Sequence, residues 1–450
     1  MVKAMIGLEV HVQLPTKSKM FCSCPTQGDD TPNSRVCPGC LGMPGAKVSL
    51  NKKAVEYGIA LAKMLNCTIP DTIWFSRKIY YYPDLSTHYQ ITQFDRPVGE
   101  KGSFSYIGSK GPKTVRITRA HLEEDPGKTK KTAEGNALID YNRSGTPLIE
   151  IVTEPDLKSP TEAREFLAAL LVSIRNTIDL PADSEFSIRC DCNISIEGGE
   201  RVEVKNVTGL KNAEECLLYE AKRQLKIMKS GSKVERETRH WDEVKKVTTG
   251  ARKKEFEADY GYVGEPDLGV YHIAELAKTI KIKETPVAMA ERIGEEYGIG
   301  IKSAKQLVST SVDLASLYED IAKATDPKTA FTWCSGVISA NWKQYEPSMR
   351  NDVVDLVKQF ASGSINDAEC SARVKSLITG QEIEETAEVS GDLFDIVSRI
   401  VDENPNVVED YKKNEKAANR IIGSVKKATG TAYSSADIVA AVRKAIESRL

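Results

Sequence analysis

The sequence predicts an α+β protein: an antiparallel-sheet cradle carrying a cysteine-rich, zinc-binding loop, then an all-α helical region and a small helical tail domain. Three observations predict it. In the first 285 residues, short runs rich in Val, Ile, Leu and Tyr are bounded by turn residues, as strands are. From about Pro286 strand patterns stop, and Ala, Leu, Ile, Lys and Glu recur at three- and four-residue spacing to the end. At 450 residues the chain has room for two or three domains, at roughly 150 residues each. The expected boundaries are 1–285, 286–392 and 393–450, with the acidic stretch Gly380–Asp392 as a connection.

Composition narrows the function. The chain is 40% hydrophobic and 28% charged, ordinary for a globular protein. No apolar run approaches the ~20 residues that span a bilayer, so no membrane role is expected. The amino terminus, MVKAMIGLEVHV, enters a strand directly, with no signal-peptide pattern; the expected location is the cytoplasm. A net charge of −2 excludes wholesale polyanion binding. From Asn404 to Leu450, however, nine Lys or Arg stand against five Asp or Glu, a basic end.

The first strand, Ile6 to Gln13, has two faces. Period two puts Ile6, Leu8, Val10 and Val12 on one side, and Gly7, Glu9, His11 and Gln13 on the other. Next comes a loop in which Cys22-x-Cys24 and Cys37-x-x-Cys40 are separated by twelve residues. Two tight thiolate pairs fit tetrahedral zinc; buried free thiols or disulfides are the alternatives. With all four positions filled by sulfur, such a site is closed and structural. Val55, Ile59, Leu61, Ala62 and Leu65 predict a helix over 51–66. The stretch Ile73–Phe94 reads as strand with a turn at Pro83-Asp84, and Lys78 beside Tyr80, Tyr81 and Tyr82 lines either plain sheet or a polar passage.

The stretch Val115–Val152 is the centre of the chemistry. Its two apolar runs carry Glu123, Glu124, Asp125 and Glu150, and a carboxylate among β-branched residues needs a cation or donor beside it. Strand phase puts Glu123 and Glu124 on opposite faces, so only one reaches a shared site unless the chain bulges. Ser159-Pro160-Thr161-Glu162 starts a packing helix to about Ile178. In Phe186–Ile196, Ser187, Arg189, Asp191, Asn193 and Ser195 share one strand face. Three strands with an apolar face and a face of hard ligands predict a metal and phosphate site laid on a sheet; the bland alternative is a solvated sheet face. The 201–206 run alternates again, making Lys205 a candidate phosphate ligand, and a helix follows over about 212–229. Residues Glu237–Glu255 read as polar and basic, and Tyr260–Val270 as turn. In the tail, Lys413, Lys416, Arg420 and Lys427 fall within about 60° of one another on a helical wheel, with Ala418, Ile421, Ile422 and Val425 opposite, a stripe able to lie on a nucleic-acid backbone. No Gly-rich phosphate loop, nucleophile elbow or His-Glu-x-x-His is present.

These residues carry a family resemblance. Ile6–Leu14, Leu41–Gly45, Tyr82-Pro-Asp84, His121–Asp125, Asp140–Arg143, Pro147–Val152, Arg189-Cys-Asp191, Lys205-Asn206, Glu237-Thr-Arg239 and Glu265–Leu268 resemble the B subunit of the aspartyl-tRNA(Asn)/glutamyl-tRNA(Gln) amidotransferase, in one register over about 1–270. The last third resembles that subunit's helical and tail domains more loosely. The chain has no room for the synthetase-like insertion of the archaeal glutamyl-specific relative.

The resemblance implies an activity. ATP phosphorylates the side-chain carboxylate of a misacylated Asp-tRNA(Asn) or Glu-tRNA(Gln). Ammonia from a separate glutaminase then displaces the phosphate. It implies ATP, Mg²⁺ and structural zinc as cofactors. The implied partners are an amidase-type A subunit, a small C subunit, misacylated tRNA and the non-discriminating aminoacyl-tRNA synthetase. By matching position, Glu9, His11, Glu124 and Glu150 are metal and phosphate-site residues, followed by Glu123 and Asp191. Lys78 and Glu124 lie by the ammonia route, and Asn193, Lys205 and Asn206 belong to the nucleotide. Pro126, Thr208-Gly209, Ser86-Thr87-His88 and Tyr260–Gly264 depart from the family pattern, the third removing a lysine expected on the ammonia route. Two other classes compete: a non-catalytic, zinc-containing tRNA-binding scaffold, which would tolerate loss of the acids, and a free-standing small-carboxylate kinase, which would turn over ATP without tRNA.

Overall fold

The computed structural model describes residues 4–180, 188–250, 261–381, 392–414, 417–429 and 432–449. The chain forms two compact units, Met1–Val287 and Ala288–Leu450. Among the described residues, no helix is long and apolar enough to cross a membrane.

The first unit is built on strands β1 (Ala4–Gln13), β2 (Thr72–Ile73), β3 (Ser76–Ile79), β4 (Tyr89–Thr92), β5 (Gly99–Gly108), β6 (Gly111–Glu124), β7 (Lys128–Lys131), β8 (Ala137–Asp140), β9 (Pro147–Thr153), β10 (Ile188–Ile196), β11 (Val202–Thr208), β12 (Glu237–Asp242), β13 (Val247–Gly250), β14 (Gly261–Gly264) and β15 (Tyr271–His272). Eleven of them make one sheet in the order β13-β12-β11-β10-β1-β9-β6-β4-β3-β14, with β5 paired to β6. Within it only β11 and β12 run parallel; the other described pairs are antiparallel. β7–β8 and β2–β15 form two small separate sheets. The polar stretch after Glu237 and the turn-like stretch before Val270 thus hold strands β12, β13 and β14, which their low apolar content hides.

The alternation of β1 decides which side is inside. Ile6, Leu8, Val10 and Val12 are at most 1% exposed and face helices α1 (Lys52–Met64), α2 (Pro160–Ile178) and α3 (Leu210–Lys229). Helix α1 starts where Asn51 accepts the backbone N–H groups of Lys53 and Ala54. Helix α2 starts at Ser159, which accepts from the Glu162 N–H, with Pro160 in the first turn and Asp179 closing it in the left-handed conformation. Its apolar stripe, Phe166, Leu167, Leu170 and Ile174, enters the core.

The second unit is helical. A cluster of Ile396, Val397, Ile400, Val401, Ile421, Val425, Ile438 and Val442 holds its carboxyl-terminal part together. The basic stripe of the tail needs one continuous helix, and this is corrected: the helix Asn406–Lys413 ends at Asn414, which is extended (φ −157, ψ 112), and a new helix runs Ala418–Thr429. Lys413 therefore stands on a different helix from Arg420 and Lys427, and Lys416 lies outside the described residues. Arg420 is exposed. Phe186, Ser187 and most of the Gly380–Asp392 connection also lie outside them.

Strand β5 crosses the end of α1 closely enough to require glycine. A Cβ on Gly102 would stand 2.4 Å from the Leu65 carbonyl oxygen and 2.5 Å from Cys67 Sγ. The Leu65 backbone and the half-buried Cys67 thiol cannot both yield, so Gly102→Ala is expected to destabilise the first unit by about 2–3 kcal/mol. The measurement is a lowered denaturant midpoint at an unchanged slope; a wild-type midpoint would refute the packing argument.

Candidate active site

The polar face of the sheet is a continuous surface of acids and bases. Antiparallel register sets Glu9 opposite Asp191 and His11 opposite Arg189. On the other side of β1, His11 lies opposite Glu150, and Glu150 opposite His121 of β6. On β11, Glu203 falls opposite Asn193. These residues come from five adjacent strands, so their positions follow from hydrogen-bond register rather than loop conformation.

Two carboxylate groups form on this face. In the first, His11 Nε2 stands 3.2 Å from Glu150 Oε2 and 3.6 Å from Glu123 Oε1. His121 Nε2 approaches the same two acids at 3.5 and 3.8 Å. Burial disfavours the His11 imidazolium, but the Glu150 carboxylate outweighs it and lifts the pKa to about 10. Burial likewise opposes ionisation of Glu150; His121 and His11 overcome it and hold its carboxyl well below the usual range. In the second group, ligand oxygens of Glu9, Asp191 and Glu203 lie within 4.8 Å of one another. Burial, then the nearby charges of Glu150 and Asp191, pushes Glu9 up to about 7. Its Oε1 accepts from Asn193 Nδ2 at 3.0 Å. Asp191 accepts from the Asn206 N–H at 2.8 Å, and Lys205 Nζ lies 3.5 Å from Glu203 and 3.9 Å from Asp191.

A cavity of about 450 Å³ opens over both groups, lined also by Lys78, Arg143, Asp125, Arg189, Asn206 and His240. Arg143 forks onto the Asp125 carboxylate. The structure thus brings Glu9, His11, Glu123, Glu150, Asp191, Lys205, Asn206 and Lys78 to one cavity, with Asn193 behind Glu9. Arg143 and His240 on the cavity wall, and His121 and Glu203 within the two carboxylate groups, are further residues that sequence reasoning missed, while Asp125, one of the acids read from the sequence, joins through Arg143. His121 was within reach, two residues before Glu123 on the same strand face; Glu203 and His240 required the pairing of β10, β11 and β12.

Glu124 is the correction. Expected with Glu9, His11 and Glu150, it points to the other side of β6, as the period of the strand requires. There Oε1 accepts from the Ile91 N–H at 3.0 Å, and burial raises its pKa to about 8. It lines a separate cavity of about 150 Å³ with Cys40, Arg77, Thr87 and Tyr89. Lys78 and Glu124 therefore open on different cavities.

Above Glu124 lies the cysteine loop. The Sγ atoms of Cys22, Cys24, Cys37 and Cys40 lie within 4.8 Å of one another, and all four thiols are free. Four sulfurs at that spacing can surround one tetrahedral ion.

Comparison with known proteins decides the family. Residues 4–278 match the GatB/GatE catalytic domain, and residues 316–446 match the GatB domain. The chain is 41% identical to the B subunit of the aspartyl/glutamyl-tRNA(Asn/Gln) amidotransferase of Methanospirillum hungatei JF-1, over 95% of this chain and 94% of the relative. The chain belongs to this family. The B subunit of Methanoregula boonei is 40% identical over 94% of each chain. That of Haloarcula marismortui is 37% identical over 99% of this chain and 98% of the relative.

The separation of the two cavities within this B subunit generates a test. Glu150→Gln removes a carboxylate from the first acid group, and Mn²⁺ affinity measured by calorimetry is expected to fall at least about tenfold. Glu124→Gln leaves both groups whole and should bind Mn²⁺ as wild type does. Equal loss in both variants would contradict the division.

Proposed function

We propose that the chain is the B subunit of a glutamine-hydrolysing, ATP-dependent tRNA amidotransferase, and that its acid face performs the phosphorylation and amidation. The carrying observation is the pair of carboxylate groups, with lysines beside them, over one cavity. The reaction converts Asp-tRNA(Asn) or Glu-tRNA(Gln) to Asn-tRNA(Asn) or Gln-tRNA(Gln). On this reading residues 1–285 are the catalytic cradle, 286–392 the helical domain and 393–450 the tRNA-binding tail. The partners are an amidase-type glutaminase, the A subunit, and a small C subunit, forming a heterotrimer, with the non-discriminating synthetase supplying misacylated tRNA in the cytoplasm.

The donor sets fit Mg²⁺. Two carboxylates crowd one His11 nitrogen, and two more acids, Asp191 and Glu203, converge on Glu9, where only hard oxygens are offered. Glu123 and Glu150, with His11 as its neutral imidazole, would hold one ion, and Glu9, Asp191 and Glu203 a second. When bound, Mg²⁺ supplies charge neutralisation for phosphoryl transfer. Lys205 and Lys78 attract the phosphates as compact cations, and Asn193 fixes Glu9 in its rotamer. Asn206 lends its N–H to Asp191, the other edge of the nucleotide subsite. The buried cradle excludes water from the acyl phosphate. Glu124, in its own cavity and held in part protonated near neutral pH, is placed to meet ammonia rather than ATP. Cys22, Cys24, Cys37 and Cys40 fit structural zinc, which would fasten the loop above Glu124. Arg420, with Lys413, Lys416 and Lys427, gives the tail its charge toward tRNA.

The test is the chain with its partner subunits, ATP, Mg²⁺ and glutamine, offered Asp-tRNA(Asn) and Glu-tRNA(Gln) in parallel. Conversion of either esterified amino acid to its amide is expected. Glu123→Gln should slow ATP-dependent phosphate release by about 10²-fold while glutaminase activity persists. Glu124→Gln should still release phosphate but deliver little amide. Bound tRNA with no amidation in wild type would favour the scaffold reading.

A further inference from the structure

Lys19 is fully buried at 0% exposure, an uncommon setting for an ammonium group. Its Nζ meets two atoms, Cys40 Sγ at 3.6 Å and the Tyr141 carbonyl oxygen at 3.2 Å. Among the described residues no carboxylate pairs with it. A carbonyl dipole orients an ammonium but does not neutralise it, and a buried charge without a counter-charge is strongly disfavoured. Of the two groups it meets, only the cysteine cluster can carry negative charge, and it does so as thiolates. Four thiolates around one Zn²⁺ leave a net double negative charge, which itself needs a cation in a partly buried loop.

The backbone around Lys19 joins the same parts. The Lys19 N–H donates to the Cys24 carbonyl at 2.9 Å, and the Met20 N–H to the Gly145 carbonyl at 2.7 Å. Gly145 has a φ of +81, and a Cβ there would meet Lys19 Cδ at 3.4 Å. One residue thus touches the cysteine loop and the turn 141–145 that presents Arg143 to Asp125.

We infer that Lys19 is the counter-cation of the metal–thiolate centre: its ammonium donates to the Cys40 sulfur and, through Tyr141, ties the cysteine loop to the turn bearing Arg143. This rests on the zinc reading above. An N–H donated to a metal-bound thiolate withdraws electron density from sulfur, which lowers its reactivity toward alkylating agents and makes it a weaker charge donor to the metal. Lys19 is accordingly a positioning and charge-balancing residue, distant from the phosphoryl chemistry.

The test uses the full heterotrimer and reads the metal directly. Lys19→Met keeps length and burial but removes the charge. It is expected to release zinc to excess chromogenic chelator at least tenfold faster than wild type. Its cobalt-substituted form should show the sulfur-to-metal charge-transfer band at longer wavelength, and Lys19→Arg should restore both readings. A merely structural lysine would not move the cobalt band, so an unshifted band with wild-type release overturns the inference. A measurement on wild type covers misfolding of the variants. Stripping the metal should raise acylation of Lys19 by acetic anhydride at least tenfold relative to exposed Lys53, read by mass spectrometry. Equal acylation with and without metal overturns the inference as well. A wild-type protein that binds neither zinc nor cobalt would instead overturn the zinc reading itself.

Discussion

Electrostatic repulsion among carboxylates on one sheet face is the constraint around which the first unit is arranged. Glu9, Glu123, Glu150, Asp191 and Glu203 lie on five neighbouring strands at spacings of a few ångströms, partly shielded from water. Like charges so placed cannot all ionise without cations. The chain supplies some of them. His11 stands against Glu150 and Glu123, and Lys205 stands against Asp191 and Glu203. Glu9 is lifted to about 7 by burial first and by the neighbouring carboxylates second. A rigid apolar underside makes this arrangement tolerable. Ile6, Leu8, Val10 and Val12, packed on three helices, hold the backbone that would otherwise relax to separate the acids.

Much of that face was legible in the sequence because strand period is strict. Glu9 with His11, and Asp191 with Asn193, follow from alternation within one strand and need no knowledge of neighbours. What alternation cannot supply is pairing. Glu203 joins Glu9 only because β11 lies beside β10, and His240 reaches the cavity only because β12 adds to β11 in parallel, a crossover that no local pattern announces. Strands β12 and β14 were themselves hidden, since an outer strand rich in Thr, Arg and Gly lacks the apolar run that marks a buried one. Helix α2 was plain to its ends because Ser159, Pro160 and Glu162 carry the start signal in three local residues. The tail wheel misled for the opposite reason: the break at Asn414 falls inside a stretch whose composition remains helical.

Cooperation between loop and sheet has a physical basis in the turn 141–145. It bonds to Asp125 through Arg143, to the cysteine loop through Lys19 and Met20, and to Asn33 through the Tyr141 N–H at 2.8 Å. Gly145, at a φ of +81, supplies the left-handed turn by which the chain doubles back over Lys19 and Glu124. The turn thus joins the cysteine loop to the Arg143–Asp125 pair, which borders the cavity over the acid groups.

The opposition of Glu123 and Glu124 carries the argument furthest. Two adjacent acids on one strand necessarily face opposite sides, and β6 separates two cavities of different character. Glu123 faces His11 and His121. Glu124 faces a smaller cavity near Cys40 and Tyr89, where burial favours the neutral acid. A carboxyl with its pKa near 8 exchanges protons readily with ammonia or ammonium. A reaction that needs a charged phosphate on one side and an uncharged nucleophile delivered from the other is suited by such a wall. The strand places the two environments only one residue apart. That division depends on period two alone, so a single inserted residue in β6 before Glu123 would exchange the two faces and abolish both environments together.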